Sequence, residues 1–296
     1  MTSQANPASS IQAAAVIGAG TMGHGIAHVL SASGIKTRLF DISDEAVNAG
    51  LAKVKGNLEK GVARGKVSED ARDAALAHLS GTSEMNAAID GVQIVIEAVP
   101  ERMDLKKKIF GDLGAKLGAD VVLATNTSSL SILEIAQAAA APERVVGMHF
   151  FNPVHIMKLV EVVRTEVTSN AAAEMALGLA RRMGKEPIDV RDAPGFASSR
   201  LGIAIGMEAI RMVEEKVASP EDIDKAMTLG YGFPMGPLKL TDLVGLDVRL
   251  AIADYLKGEL GERFNPPQLL RDMVERGELG KKSGKGFYQW EDAARG

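Results

Sequence analysis

The 296-residue sequence contains no cysteine, which excludes disulfides, thiolate-ligated metals and thiol catalysis. It has no surplus of basic residues either, because 34 Lys and Arg stand against 38 Asp and Glu, for a net charge of -4. Affinity for nucleic-acid phosphates depends on such a surplus, so we expect no nucleic-acid partner. No apolar run approaches the roughly 18 residues that a membrane helix requires, so we expect no membrane partner.

The first ten residues, MTSQANPASS, lack both an apolar segment and arginine, so they do not resemble a secretory signal or a transit peptide. We interpret residues 1–10 as a flexible tail and expect a cytoplasmic protein. The remaining composition, 46% hydrophobic and 24% charged, is typical of a folded globular protein. The length allows one large domain or two of moderate size.

The first part of the chain alternates between strands and helices. A strand at 12–17, the segment GAGTMG, a helix ending at Gly34 and a strand at 36–41 form a βαβ unit. The next strong strand, at 93–99, is too distant for a single crossover helix, so two inserted helices are predicted near 44–64 and 68–78. Further strands are predicted at 121–125, 145–150, 158–163 and 188–190, with helices near 102–118, 131–138 and 170–184.

The pattern changes near residue 190, where strands stop. Helices alone are predicted beyond it, at 195–217, 220–228, 237–260 and 266–276. The sequence therefore predicts an α/β fold, in which a Rossmann-type doubly wound sheet with an inserted helical pair occupies 11–190. An all-helical domain is expected over 191–296.

The glycine-rich segment fits the pattern G-x-G-x-x-G between a strand and a helix. In that position bare backbone at a helix N-terminus can hold the pyrophosphate of a dinucleotide. The candidate cofactor-binding residues in this segment are Gly18, Gly20, Thr21, Met22 and Gly23.

Asp41 ends the second strand, where a carboxylate can accept hydrogen bonds from ribose hydroxyls. It favours NAD over NADP because its charge would repel a 2′-phosphate. Arg38, on the same strand, is the feature that could weaken this preference for NAD. The alternative is that Asp41 only caps the helix that begins near Ser43.

The strongest candidate for chemistry is a pair formed by His149 and Glu161, which are placed almost symmetrically about the turn at 151–155. If the two strands form an antiparallel hairpin, these side chains face each other. A carboxylate fixes the tautomer of an imidazole and stabilises its protonated form, which suits a general base. The alternatives are a core histidine and an edge-strand glutamate without any joint role. The other four histidines lack a comparable partner and are interpreted as structural or surface residues.

Two further features each have both a functional and a structural interpretation. Ser128, in the segment TNTSS after a predicted strand, either donates a hydrogen bond to substrate or belongs to a helix cap. On the first inserted helix, Lys53, Asn57, Lys60 and Arg64 recur along one face and form a basic stripe. The stripe either binds a phosphate-rich ligand or is a solvated helix face.

Taken together, the chain resembles the L-3-hydroxyacyl-CoA dehydrogenase family, in particular its short stand-alone bacterial members. The resemblance covers nearly the whole length and rests on VIGAGTMGHGIA, IVIEAVPERMDLKKKIF, ATNTSSLSI, GMHFFNPVHIMKLVEVV, DAPGFASSR, YGFPMGPLKLTDLVGLDV and GKKSGKGFY. It implies oxidation of a short (3S)-3-hydroxyacyl-CoA, such as 3-hydroxybutyryl-CoA, by NAD, within fatty-acid β-oxidation or aromatic-acid degradation. It also implies a homodimer built by the helical domain.

The resemblance implies a role for each residue that matches a family motif. His149 would be the base, Glu161 its orienting partner, and Ser128 with Asn152 the donors near the reacting oxygen. Cofactor contacts would come from Glu101, Lys106 and Lys282, and contacts with coenzyme A from Asn57, Lys60 and Arg64. The chain departs from the family at Ser199, where an asparagine is usual, which puts the substrate contact at that position in doubt.

Two alternative functions remain open from the residues alone. One is an NAD-dependent dehydrogenase for a free hydroxy or sugar acid such as L-gulonate, against which the basic stripe weighs. The other is a non-catalytic dinucleotide-binding protein, in which the pairing of His149 with Glu161 would have no purpose.

Overall fold

The structure, a computed structural model, describes residues 11–291, so the tail predicted for 1–10 lies outside the described residues. The chain forms two compact units that divide between Ala193 and Pro194. The sequence predicts this boundary near 190. No helix in the described part is long and apolar enough to cross a membrane.

The first unit contains one eight-stranded sheet in the order β3-β2-β1-β4-β5-β6-β7-β8. All neighbouring strands are parallel except β6 and β7, which are antiparallel. This arrangement confirms the predicted doubly wound sheet. The strands are β1 Ala13–Ile17, β2 Lys36–Phe40, β3 Leu79–Thr82, β4 Ile94–Glu97, β5 Val122–Thr125, β6 Val145–Phe150, β7 Leu159–Arg164 and β8 Glu186–Arg191.

Seven helices accompany the sheet in the described part of this unit, and they include the two inserted helices that the sequence predicts, α2 and α3. They are α1 Thr21–Ala32, α2 Asp44–Ala63, α3 Glu69–Ala77, α4 Met85–Ile89, α5 Met103–Lys116, α6 Ile132–Ala136 and α7 Asn170–Arg182. The sequence does not predict β3 or α4. β3 is a four-residue edge strand, LSGT, with no fully buried residue, so it carries no apolar run that could reveal it.

The core of the first unit lies against the central strands. Val16, Ile96, Ala124 and Val146 come from four neighbouring strands, and each is completely buried. Near-continuous apolar strands are the expected sequence of a parallel sheet that is covered by helices. This core fixes the carboxyl ends of β1, β4, β5 and β6 side by side, where the polar residues described below emerge.

The second unit is helical, as predicted, with α8 Ser198–Glu214, α9 Pro220–Gly230, α10 Pro237–Val244, α11 Leu246–Leu260 and α12 Gln268–Glu275. The prediction of one helix over 237–260 is wrong. Gly245 has φ +104°, a conformation that disfavours other residues and cannot continue a right-handed helix, so α10 ends before it and α11 begins after it.

A buried carboxylate fixes the C-terminal segment of the second unit. Asp242, on α10, accepts hydrogen bonds from the main-chain amides of Phe287 and Tyr288, both at 2.9 Å, and from the indole N–H of Trp290 at 2.8 Å. Three donors satisfy a carboxylate that is 1% exposed. The segment GKGFYQW is therefore tied to α10.

Candidate active site

The glycine-rich loop lies between β1 and α1, beside the point where the strand order reverses from β1 to β4. Gly18 has φ +104°, and a Cβ there would lie 2.7 Å from the carbonyl oxygen of Ala98; a Cβ on Gly23 would lie 1.6 Å from the carbonyl oxygen of Gly18. A Cβ on Gly20 would meet nothing within 4 Å. Gly18 and Gly23 thus allow close packing, while Gly20 leaves bare backbone open to a ligand.

This loop fits the pyrophosphate of a dinucleotide. Gly20 caps α1 without a side chain, and Thr21 and Met22 begin the helix. The first amides of a helix have no intrahelical acceptor and point toward the site, where the helix dipole favours negative charge. The first turn of α1 carries no acidic residue that would compete with a phosphate.

Asp41 follows β2 and is tied to the glycine-rich loop. Its Oδ2 accepts from the Ala19 amide at 2.7 Å and its Oδ1 from the Ile42 amide at 2.7 Å. The alternative that Asp41 caps α2 is wrong, because Ser43 is the capping residue and accepts from the Ala46 amide at 3.2 Å. The Asp41 carboxylate is therefore held beside the glycine-rich loop, which is where a residue that binds the ribose hydroxyls is expected.

Arg38 and Asp41 have different hydrogen-bond partners. Its Nη1 donates to the carbonyl oxygens of Ala88, at 3.3 Å, and of Asp90. Both carbonyls belong to the end of α4, the helix that the sequence does not reveal. These contacts engage the Arg38 guanidinium at α4, and the preference for NAD over NADP that Asp41 predicts stays a prediction.

A buried network holds Glu101 beside the end of β5. Glu101 Oε1 accepts from Thr127 Oγ1 at 2.6 Å and from the Ser128 amide at 2.8 Å. Lys106 is only 1% exposed, and its Nζ lies 2.7 and 3.0 Å from the two carboxylate oxygens of Glu97 and 3.4 Å from Glu101 Oε2. Lys106 therefore positions two carboxylates, and its predicted direct contact with the cofactor stays a prediction.

Glu97, which the sequence analysis did not single out, is the fully buried centre of this network. Besides Lys106, it accepts from Thr125 Oγ1 at 2.6 Å and from the Val99 amide at 2.7 Å. A buried charge is tolerated only when it is paired and fully hydrogen-bonded. The sequence feature that could have revealed Glu97 is a carboxylate at the end of the apolar strand IVIE.

His149 and Glu161 lie directly opposite each other on β6 and β7, which confirms the predicted pairing of the two strands. His149 Nδ1 lies 2.7 Å from Glu161 Oε2; the histidine is 6% exposed and the glutamate fully buried. An ionised carboxylate only accepts hydrogen bonds, so Nδ1 carries the proton and Nε2 is the basic nitrogen. The Phe151 ring packs against the imidazole, with the centroids 4.6 Å apart.

The segment TNTSS begins at Thr125, the last residue of β5, and lies beside the end of β6. Asn126 Oδ1 accepts from the Phe150 amide at 2.9 Å and so fixes the backbone next to His149. Nothing in the sequence pattern singles out this residue. Ser128 is not the cap of α6, because that role belongs to Ser131, which accepts from the Glu134 amide. The capping alternative for Ser128 is therefore wrong, and its substrate contact stays a prediction.

The remaining predicted residues differ in their surroundings. Asn152, in the turn between β6 and β7, is exposed. The basic stripe of Lys53, Asn57, Lys60 and Arg64 lies along α2, with Arg64 at its C-cap. Its charged members are exposed, and within residues 11–291 no ion pair joins any of the four side chains to a carboxylate.

Two predicted residues belong to the helical unit. Ser199 lies in the first turn of α8. Lys282 forms an ion pair with Asp247, at 2.5 Å from Oδ1. Their predicted contacts with substrate and cofactor stay predictions.

The doubly wound sheet, its glycine-rich loop and the buried imidazole-carboxylate pair define a nucleotide-dependent dehydrogenase. Comparison with known proteins gives the particular family. Residues 13–193 match the 3-hydroxyacyl-CoA dehydrogenase NAD-binding domain, and residues 195–290 match the 3-hydroxyacyl-CoA dehydrogenase C-terminal domain. The chain belongs to the 3-hydroxyacyl-CoA dehydrogenase family, and its cofactor is NAD.

Individual relatives agree with this assignment over nearly the full length of the chain. The chain is 45% identical to a 3-hydroxybutyryl-CoA dehydrogenase of Mycobacterium tuberculosis, over 95% of this chain and 99% of that protein. It is 44% identical to a probable 3-hydroxybutyryl-CoA dehydrogenase of Bacillus subtilis, over 94% and 96%. The crystal structure of an (S)-3-hydroxybutyryl-CoA dehydrogenase from Ralstonia eutropha is similar with a TM-score of 0.92, at 39% identity, and covers 96% and 100% of the two chains. The prediction of an NAD-dependent enzyme of this family is confirmed.

Proposed function

We propose that the enzyme oxidises (3S)-3-hydroxybutyryl-CoA to acetoacetyl-CoA, with His149 as the general base. The observation that carries the mechanism is the 2.7 Å contact between His149 Nδ1 and Glu161 Oε2, both buried at the carboxyl edge of the sheet. The substrate is the one in the names of the M. tuberculosis, B. subtilis and R. eutropha relatives.

In the proposed reaction the C3 hydroxyl proton moves to His149 Nε2 as the C3–O bond becomes a carbonyl. The chemistry that NAD supplies when bound is acceptance of the hydride from C3. Glu161 stabilises the imidazolium that forms, because its charge faces the proton on Nδ1. Ser128 and Asn152 donate hydrogen bonds to the C3 oxygen, and the product is a 3-oxoacyl-CoA.

We infer that coenzyme A lies along the basic stripe of α2. Lys60 and Arg64 are exposed cations at the end of this helix, where the helix dipole does not itself attract an anion, so side-chain charge must supply the attraction. A free hydroxy acid would not need such a stripe.

NADH oxidation with acetoacetyl-CoA and with free acetoacetate tests the proposal. We expect efficient turnover of the thioester and almost none of the free acid. Equal efficiency with both would contradict recognition of coenzyme A. A 3-oxoacyl-CoA of longer chain, compared in the same assay, tests the short-chain preference.

We also propose that the helical unit forms a homodimer. Its described residues expose several large apolar side chains, among which Leu229 is 83% and Tyr231 78% exposed. Exposed apolar groups of this size are typical of protein interfaces. Light scattering of Leu229→Glu and Tyr231→Glu variants should show a monomer, whereas Val167→Ser, which removes an exposed apolar residue of the first unit, should leave the dimer intact. A monomeric wild-type protein would refute this proposal.

A further inference from the structure

A cavity of about 440 Å³ opens beside the C-terminal half of α1. Small-molecule sites usually have volumes of roughly 300–1,000 Å³, so it can hold a small ligand. None of its lining residues belongs to the site described above. The cavity is called the basic cavity here, and its cationic or titratable lining residues are His28, His155, Lys158, Arg182 and Lys185.

The described lining of the basic cavity contains cations but no carboxylate. Lys185 Nζ donates to the carbonyl oxygens of Val154 and of Met157, the latter at 2.8 Å, and Arg182 Nη1 donates to that of Ile11 at 2.6 Å. These main-chain carbonyls hold the two cations in place, and a neutral carbonyl does not cancel a positive charge. No acidic residue lines the cavity in the described part of the chain.

Lys158 adds a third positive charge at the rim of the basic cavity. Its side chain is exposed, and within residues 11–291 no hydrogen bond or ion pair of its ammonium is found. Three like charges around one cavity repel each other, and a bound anion would relieve that repulsion.

Two stacked histidines complete the lining. The rings of His28 and His155 are 5.2 Å apart with an interplanar angle of 16°, and His28 is 7% exposed. Among the described residues, His28 Nδ1 has no hydrogen-bond partner. A buried polar atom without a partner is costly, and it marks a place that a ligand can satisfy.

The protonation of these histidines depends on their cationic neighbours. Burial, together with the charges of His155, His24 and Lys185, lowers the pKa of His28 to about 4. Burial also lowers the pKa of His155, with added effects from Lys185 and His24. Both rings are therefore neutral near pH 7, and an anion among them would favour their protonation.

We propose that the basic cavity binds a small dianion of the phosphate class, either free phosphate or the phosphate group of a metabolite. The three cations supply the attraction, and His28 and His155 contribute hydrogen bonds. The cavity adjoins the turn between β6 and β7, so the anion would connect this turn to α1.

The test is calorimetric titration of the NADH-saturated enzyme, which keeps the dinucleotide site filled. Inorganic phosphate and glycerol 3-phosphate are the two probes, at constant ionic strength in chloride, and they distinguish the free anion from a phosphate ester. Lys158→Gln should weaken the binding about tenfold or more, the loss expected for one charged hydrogen bond. The matched control is Lys108→Gln, an exposed lysine of α5, which should bind like wild type.

Three outcomes would overturn the proposal. They are no saturable binding of either probe, equal binding by the Lys158 and Lys108 variants, and loss of binding only when Lys60 and Arg64 are both replaced by glutamine. Sulfate provides a second measurement, because its charge is constant between about pH 5.5 and pH 8, the range into which a bound anion would raise the lowered pKa of a neighbouring histidine. Sulfate should bind more tightly at the lower pH, and in a folded His155→Gln variant this difference should shrink. A sulfate affinity independent of pH would show that the histidines take no part.

Discussion

Replacing Glu161 by glutamine tests the chemistry most directly, because it keeps the hydrogen bond to His149 and removes only the charge. A charged hydrogen bond contributes about 1.5–3 kcal/mol and a neutral one about 0.5–1.5 kcal/mol, so the difference is roughly tenfold in rate. Two charges about 4 Å apart at an effective dielectric constant of 20 interact by about 4 kcal/mol. This energy sets the upper limit of the rate loss in Glu161→Gln at about a thousandfold. The transition state, in which His149 becomes charged, should lose stabilisation between these limits.

The assay is a double-mutant cycle on kcat/KM, followed by NADH absorbance with acetoacetyl-CoA. His149→Ala should lower the rate by roughly 10² to 10⁴, the usual contribution of a general base. Once His149 is absent, Glu161 has no imidazolium to stabilise, so Glu161→Gln should then have almost no effect. Additive losses would refute the reasoning, as would full activity of the His149→Ala variant.

Stability provides a control for the same cycle. His149→Ala leaves the fully buried Glu161 carboxylate without its partner at Nδ1. Breaking a buried pair from one side usually costs about 3–5 kcal/mol. The double variant should therefore unfold at a higher temperature than His149→Ala alone, while NADH affinity stays close to wild type in both because the glycine-rich loop is unchanged.

The parts of the fold that the sequence predicts are those governed by local patterns. Buried parallel strands are apolar runs, and the glycines at 18, 20 and 23 have spacings that only a strand-turn-helix explains. The pairing of His149 with Glu161 was predictable because both strands are apolar and a short turn separates them, which sets the register.

Other features depend on contacts between distant segments and leave no local pattern. Asn126 binds the amide of Phe150, 24 positions away, and in the sequence it is one more polar residue of TNTSS. The break at Gly245 was missed because the apolar periodicity continues on both sides, whereas the positive φ depends on the surrounding packing. The basic cavity is likewise lined by residues from α1, the turn after β6 and the end of α7, so no single segment of the sequence predicts it.

The remaining predictions concern cofactor choice, coenzyme A and the substrate oxygen. Asp41→Ala should weaken NAD binding and relax the discrimination against NADP, as measured by the ratio of their kcat/KM values; an unchanged ratio would exclude Asp41 as the ribose ligand. Replacing Lys60 and Arg64 together by alanine should raise KM for acetoacetyl-CoA much more than for NADH, with a salt-dependent effect. An equal rise for both ligands would point to misfolding. If Ser199 helps to hold the C3 oxygen, Ser199→Ala should lower kcat/KM by about 1 kcal/mol, the contribution of one neutral hydrogen bond, without changing NADH affinity. Ser199→Asn restores the usual family residue and should keep activity if the pocket has room for the longer side chain. An alanine variant as active as wild type would remove Ser199 from the site and leave Ser128 and Asn152 as the candidate donors.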